Sequence, residues 1–216
     1  GGTPDQNLIL FDGIKMYNSA HFFGMISAFN PYITKKVKVF TSGASSEYGN
    51  HISGVIDIET DDKISDKFSG GFGTNLTHSD TYFKIPIKNN LSFSISARRS
   101  FTDFIQSTTF DRVSKKVFQN TIIARDAKAD RSFFESNNKF YFSDVNAKFI
   151  YQPSKKDKIT INYLLVRNKL NYQFKSRNNN YNTGDYLQIK NTGLRTKWNH
   201  IWNNKTQQIT SFYMSN

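Results

Sequence analysis

From Lys63 onward the chain repeats one pattern. Apolar residues fall at every second position over short runs, polar joins separate the runs, and helical periodicity is almost absent. The clearest run is LSFSISARR, in which Leu91, Phe93, Ile95 and Ala97 point one way and Ser92, Ser94, Ser96 and Arg98 the other. In TYFKIPI, Phe83, Ile85 and Ile87 oppose Tyr82, Lys84 and Pro86. In FYFSDVNAKFIYQ, Tyr141, Ser143, Val145, Ala147, Phe149 and Tyr151 share a face opposite Asp144, Asn146 and Lys148. KITINYLLVRNKLNYQF predicts a long strand with Ile159, Ile161, Tyr163 and Leu165 outward, and YLQIKNTGLRTKWNHIWN predicts another. With KFSGGFGTN (67–75) and QQITSFYMSN, the pattern predicts about seven strands.

The joins alternate in length. They are short at Lys88–Asn90, Pro153–Asp157 and Asn203–Lys205, and longer at 101–139 and 175–185; only Leu76–Asp80 departs mildly. A globular sandwich has no need of such alternation. A membrane barrel has, because its hairpins turn briefly at one interface and extend loops at the other. Serines opposite Leu-Phe-Ile suit a watery lumen better than a dry core. Tyr151, Trp198 and Trp202 lie near short-turn ends, where an amphipathic ring favours a headgroup layer. A soluble sandwich core would show the same period-two aromatics, so that alternative stays open.

Residues 1–62 read differently, as a small mixed α/β segment. NLILFDGIKMY is an apolar run closed by Asp12-Gly13, a turn signal. AHFFGMISAFNP predicts a short helical or irregular turn ending at Asn30-Pro31, ITKKVKVFT a strand, SGASSEYGNHISG a loop and VIDIET a strand.

Composition sharpens the picture. The hydrophobic fraction is 37% and mean hydropathy is −0.58, yet the chain carries 20 Phe and 11 Tyr, too many rings for disorder. Net charge is +12, and residues 63–216 hold all of the excess: residues 1–60 carry four Lys against five acids. Because the cations are scattered rather than run together, they read as a solvated surface, and no nucleic-acid partner is expected. With no cysteine there is no disulfide or thiol chemistry, and the four His show no ligand spacing. No catalytic constellation emerges, GGFG lacks the strand-then-helix context of a phosphate loop, and neither a metal nor a cofactor is expected.

The leading segment resembles the second half of the plug domain of TonB-dependent outer-membrane receptors. The resemblance rests on Asp12, Gly13, Ile14, Tyr17 and Asn18 after the first strand, then on Tyr48, Gly49, Gly54, Val55, Ile56, Ile58 and Thr60. The insert from His21 to Pro31 is similar to a plug variant common in Bacteroidota receptors. The resemblance implies a fold: residues 1–62 as the C-terminal part of a plug, and 63–216 as the first strands of an incomplete antiparallel transmembrane β-barrel, forming an open curved sheet. The TonB box, the first half of the plug and most of the ~22 strands of such a barrel are expected to lie outside this chain. It implies location in the cell outer membrane, a small solute ligand, contact with outer-membrane lipid and a periplasmic TonB-type energy transducer. It also makes Tyr17, His21, Phe22 and Phe23 apex candidates for solute contact; the other reading of these rings is packing of a hydrophobic turn. Gly49 and Gly54 are expected at positive φ or at close backbone approaches, or else as plain turn glycines. The join 101–139, with Arg99 at its start and Arg112, Lys115, Lys116, Arg125, Lys128 and Arg131 inside, reads as a contact for anions or lipid phosphates, or simply as a solvated loop. The functional alternative is a secreted β-sandwich binding module for glycans or proteins.

Overall fold

The computed structural model describes residues 6–21, 24–41, 44–49, 53–103, 105, 108, 134–176 and 182–216; side chains at 134–138, 172–176 and 182–185 are left aside. The described chain is mainly β. Its strands are β1 (Leu8–Phe11), β2 (Ile14–Lys15), β3 (Ala20–His21), β4 (Ile26–Ser27), β5 (Thr34–Phe40), β6 (Val55–Thr60), β7 (Ser69–Thr74), β8 (His78–Lys88), β9 (Leu91–Ser100), β10 (Phe134–Tyr151), β11 (Asp157–Ser176), β12 (Asn182–Asn203) and β13 (Thr206–Ser215).

The first six build the small leading unit. A sheet of order β2-β1-β6-β5 holds β1 parallel to β6 and antiparallel to β2, while β3 and β4 form a hairpin of their own. Asp12 and Gly13 both take positive φ, +49° and +75°, which closes β1 onto β2 with a two-residue loop pairing Phe11 with Ile14. This is the turn the right-handed strand twist favours, and Asp-Gly tolerates it. The insert after Tyr17 departs from expectation. Where a helical or irregular turn was predicted, Ala20–His21 pairs with Ile26–Ser27, and Gly24 at φ +94° lies in the connection. His21 and Ile26 stand opposite each other across this hairpin, and His21 is buried with both ring nitrogens bonded to the wall strands.

Strands β7 to β13 form one open, curved antiparallel sheet in sequence order. Seven strands were expected and seven form. Short joins connect β8 to β9, β10 to β11 and β12 to β13. Two expected boundaries shift. β10 begins at Phe134, inside the predicted 101–139 join, and β11 and β12 run to Ser176 and from Asn182, consuming most of the predicted 175–185 loop. The cause is pairing: β10, β11 and β12 stay in continuous register to their far ends, so polar residues that read as loop become ladder. The cations from Arg112 to Arg131 lie outside the described residues.

The two faces of this sheet differ as the alternation requires. Ser92, Ser96, Arg98, Ser100, Asp144, Asn146, Lys148, Thr160 and Asn162 turn inward and are buried, and Arg98 and Lys148 among them bond Ser27, Asp12 and Asp61 of the leading segment. Phe83, Ile161, Tyr163, Leu194, Trp198 and Phe212 lie exposed on the outer face. Leu91, Phe93 and Ile95 share that outer face, and no second sheet packs on it among the described residues. This disposes of the sandwich alternative. The shared core joins Phe11, Ile14, Met16, Ala28 and Ile58 of the leading unit to Leu164 and Val166 of β11. Each of these buried side chains apart from Ala28 contributes about 1.5–3 kcal/mol.

Near the short turns, Trp198 Nε1 donates to Asp157 Oδ1 at 3.0 Å and Trp202 Nε1 to Gln208 Oε1 at 3.1 Å, so each ring keeps a polar tip satisfied beside an apolar body. Expressed by itself, the 216-residue chain should aggregate in plain buffer, because β7 and β13 each leave one edge open beside an apolar face. Light scattering with and without detergent checks this; a dispersed, clear solution lacking detergent contradicts it.

Candidate functional site

Three polar clasps hold the leading unit, two of them against the sheet. The lowest is built on Asp12. Its carboxylate accepts from Thr60 N at 2.9 Å, Thr60 Oγ1 at 2.6 Å and Lys148 Nζ of β10 at 2.9 Å. Its carbonyl accepts from Arg195 Nη1 of β12 at 2.9 Å. One turn residue thus ties β6 and two wall strands together. The chain leaving β6 is held likewise: Lys84 pairs with Asp61 at 3.0 Å, Lys148 donates to Asp61 O at 3.2 Å, and Lys158 pairs with Asp62 at 2.7 Å. Burial pushes the Asp61 carboxyl up, but the Lys84 ammonium and the Lys63 N–H together outweigh it and leave that carboxyl below the usual range.

Asp12→Ala is therefore expected to destabilise the leading unit by about 3 kcal/mol, the lower end for breaking a buried pair, because Asp61 O still accepts from Lys148. Asp12→Asn should lose less, keeping an acceptor for Thr60. Thermal unfolding of the full-length protein in detergent measures both, and equal midpoints for wild type and Asp12→Ala would refute the clasp.

The second clasp lies within the leading unit. Tyr48 Oη donates to Asp57 Oδ2 at 2.9 Å, with Lys38 Nζ at 3.8 Å from the same carboxylate and 2.5 Å from Glu59. Burial is the largest influence on Asp57 and pushes its carboxyl up despite the hydrogen bond from Tyr48; burial also pushes the Tyr48 hydroxyl up. A raised carboxyl in the folded state binds protons that the unfolded chain releases, so this residue's contribution to stability falls as pH rises through the folded value. Asp57→Asn should be neutral or stabilising at neutral pH and should flatten that pH dependence. Unfolding midpoints from neutral pH down to about pH 4 check the sign; a strong loss at neutral pH would contradict it.

The third clasp holds the β3–β4 hairpin. His21 is fully buried, with Nε2 2.9 Å from Asp144 Oδ1 and Nδ1 2.7 Å from Asn168 Oδ1. Its ring stacks on Phe142 with centroids 4.2 Å apart. Arg98 Nε donates to Asp144 Oδ2 at 2.6 Å, and Arg98 Nη2 to Ser27 O at 2.6 Å. Beside this hairpin, away from the short turns, lies a cleft of about 360 Å³ between Tyr17, Asn18, Ala20 and Gly24 and the wall residues Phe140, Asn168, Leu170, Leu187 and Ile189.

Residues 1–55 match the family model described as the TonB-dependent Receptor Plug Domain. The matched segment contains the Asp12-Gly13 turn, the β3–β4 hairpin and Tyr48. Among solved structures, the chain is similar to a mutant ferric enterobactin receptor, PfeA, of Pseudomonas aeruginosa, with TM-score 0.57 and 13% identity over 98% of this chain and 33% of that one. At that identity the likeness is one of fold. The siderophore receptor PirA of Acinetobacter baumannii gives TM-score 0.45 and 11% identity over 98% of this chain and 40% of that one. The chain thus spans between about a third and two fifths of these receptors. No curated protein sequence matches it.

The plug turn residues occupy structural positions. Asp12 and Gly13 form the lowest clasp, and Gly54 is a close approach, where a Cβ would sit 3.0 Å from Phe40 O and 3.1 Å from Asn7 Oδ1. Gly49 is neither: it lacks a positive φ and a Cβ there meets nothing within 4 Å, so its flexibility reading is the surviving one. Of the apex candidates, Tyr17 is 62% exposed and lines the cleft, whereas His21 faces the wall. Phe22 and Phe23 lie outside the described residues. Sequence reasoning did not single out Asp144, Lys148, Asn168, Gly193 or Arg195. The signal was present for two of them, since Asp144 and Lys148 sit on the face opposite the apolar one, where a charge needs a partner in the lumen.

Proposed function

We propose that the chain belongs to a TonB-dependent outer-membrane receptor that binds a scarce solute outside the cell and imports it when an energised periplasmic TonB-type transducer remodels the plug. Residues 1–62 are the C-terminal part of the plug and 63–216 the N-terminal barrel strands. One observation carries the reading: a segment matching the plug family is clasped to the polar inner face of an open sheet whose outer face is apolar. Oil outside and water inside account for both faces at once. The outer face meets outer-membrane lipid; no nucleic-acid partner and no catalysis are proposed. The solute is a siderophore, vitamin, glycan or peptide, and the ferric enterobactin receptor among the structural neighbours supports the first of these. The resemblance of the His21–Pro31 insert favours a Bacteroidota source.

Fractionation of cells carrying the full-length protein tests the location, and uptake with and without the energy transducer tests the mechanism. Recovery in the soluble periplasm, or uptake indifferent to the transducer, would overturn the reading.

A further inference from the structure

The inner face of the sheet is mostly polar, even where it is buried, and its apolar Leu164 and Val166 are covered by the plug core. Two cross-strand rows beside the β3–β4 hairpin break the rule. Phe140, Leu170 and Leu187 stand opposite one another on β10, β11 and β12, and the next row is Phe142, Asn168 and Ile189. Leu187 and Ile189 are 42% and 37% exposed, and with Tyr17 they line the 360 Å³ cleft rather than the core. An apolar shelf left open on a lumen wall calls for a contact that the described plug residues do not supply. None of the nine described residues lining the cleft carries a charge. One polar group there is unspent among the described residues: Asn168 is 6% exposed, its Oδ1 lies against His21, and its Nδ2 has no described partner. Whichever way the amide is turned, His21 engages one of its two polar atoms and leaves the other. Such a group is costly to bury unpaired.

We infer that this cleft is a subsite for an uncharged solute that lays an apolar face on Leu170, Leu187 and Ile189 and offers a hydroxyl or carbonyl group to the Asn168 amide. The volume suits a small molecule, since such sites run to roughly 300–1,000 Å³. A fixed ionic group on the ligand finds no partner in this lining and would lose hydration on entering. Arg98 and Asp144, beside His21, are already paired with each other, and the Lys15 ammonium is held over the Tyr17 ring, 5.0 Å from its centroid. The inference rests on the import reading and names the chemistry of its ligand.

The test uses cells in which full-length wild-type or variant receptor replaces a chromosomal deletion, with receptor levels in the outer membrane followed by immunoblot. Yeast extract is divided into the fraction passing both cation- and anion-exchange resins and the fractions retained. Receptor-dependent growth should follow the uncharged fraction. Leu187→Glu, which puts a carboxylate on the shelf, should reduce uptake at limiting supply at least about tenfold, and Asn168→Leu several-fold, at wild-type receptor levels. Leu187→Asn takes the place of the Glu variant if that one fails to assemble. Receptor-dependent growth only on a retained fraction, or wild-type uptake by a normally assembled Leu187 variant, overturns the subsite. Absence of receptor-dependent growth on every fraction and on the whole extract instead removes the import reading, and this inference with it.

Discussion

Asp144→Ala in the full-length protein is expected to free the β3–β4 hairpin from the wall while leaving the rest of the plug seated. Asp144 is 2% exposed and receives Arg98 Nε at 2.6 Å, with His21 Nε2 at 2.9 Å. Removing it leaves a buried guanidinium whose remaining described partner is Ser27 O, and a buried imidazole nitrogen with none. Breaking a buried pair by deleting one member costs about 3–5 kcal/mol, much of it the penalty of the orphaned charge. The loss should be local. Ala20, His21, Ile26 and Ser27 amides should exchange faster with solvent, whereas those of β6, held by Asp12 and paired to β1 and β5, should not. Asp144→Asn keeps an acceptor and should sit between. Replacing both partners with apolar residues, Arg98→Met with Asp144→Leu, should cost less than Asp144→Ala alone if the orphaned charge is the main penalty. Unchanged exchange at the hairpin in Asp144→Ala would remove the clasp from the account.

The contrast between that cluster and the outer face explains how much the sequence could reveal. A strand's period of two needs no partner to be seen, so Leu91, Phe93 and Ile95 opposite Ser92, Ser94 and Ser96 already separate the two faces, and the short joins already order the hairpins. The Asp12-Gly13 turn is equally local, because both residues tolerate positive φ and few others do. His21 shows the limit. In the chain it is one ring in the run AHFFG, and nothing within that run says that Asp144 and Asn168, 123 and 147 positions away, will take its two nitrogens. Long-range polar pairing has no period to reveal it. The ends of β11 and β12 failed for a related reason: Asn- and Lys-rich sequence looks like loop until a partner strand in register supplies its hydrogen bonds.

Gly193→Val is expected to unseat the turn that anchors the plug, and a double-mutant cycle with Ile14 can show that the effect is contact rather than strand propensity. A Cβ built at Gly193 overlaps Ile14 Cγ2 and lies 3.3 Å from Met214 O. Ile14 is fully buried and its methyl sits on a short branched side chain, so neither it nor the β13 backbone can yield cheaply. Overpacking of this kind costs about 1–3 kcal/mol, and a β-branched residue should reach the upper end. The displacement has a direction. Ile14 follows the turn whose Asp12 holds Thr60 and Lys148, so lifting the β1–β2 hairpin from β12 pulls on the lowest clasp. Gly13 tells the same story from the other side, since it packs against the Arg195 guanidinium, but a flexible Arg tip can move and the φ of +75° would supply most of the penalty there. Ile14→Ala alone should cost about 2–5 kcal/mol by opening a cavity in the shared core. Gly193→Ala combined with Ile14→Ala should then cost less than the two added together, with a coupling of about 0.5–3 kcal/mol, because the new methyl enters the space the old one left. Strict additivity in unfolding of the full-length protein would mean that β12 and the hairpin do not touch there, and the plug's hold on that strand would rest on Arg195 and Asn191.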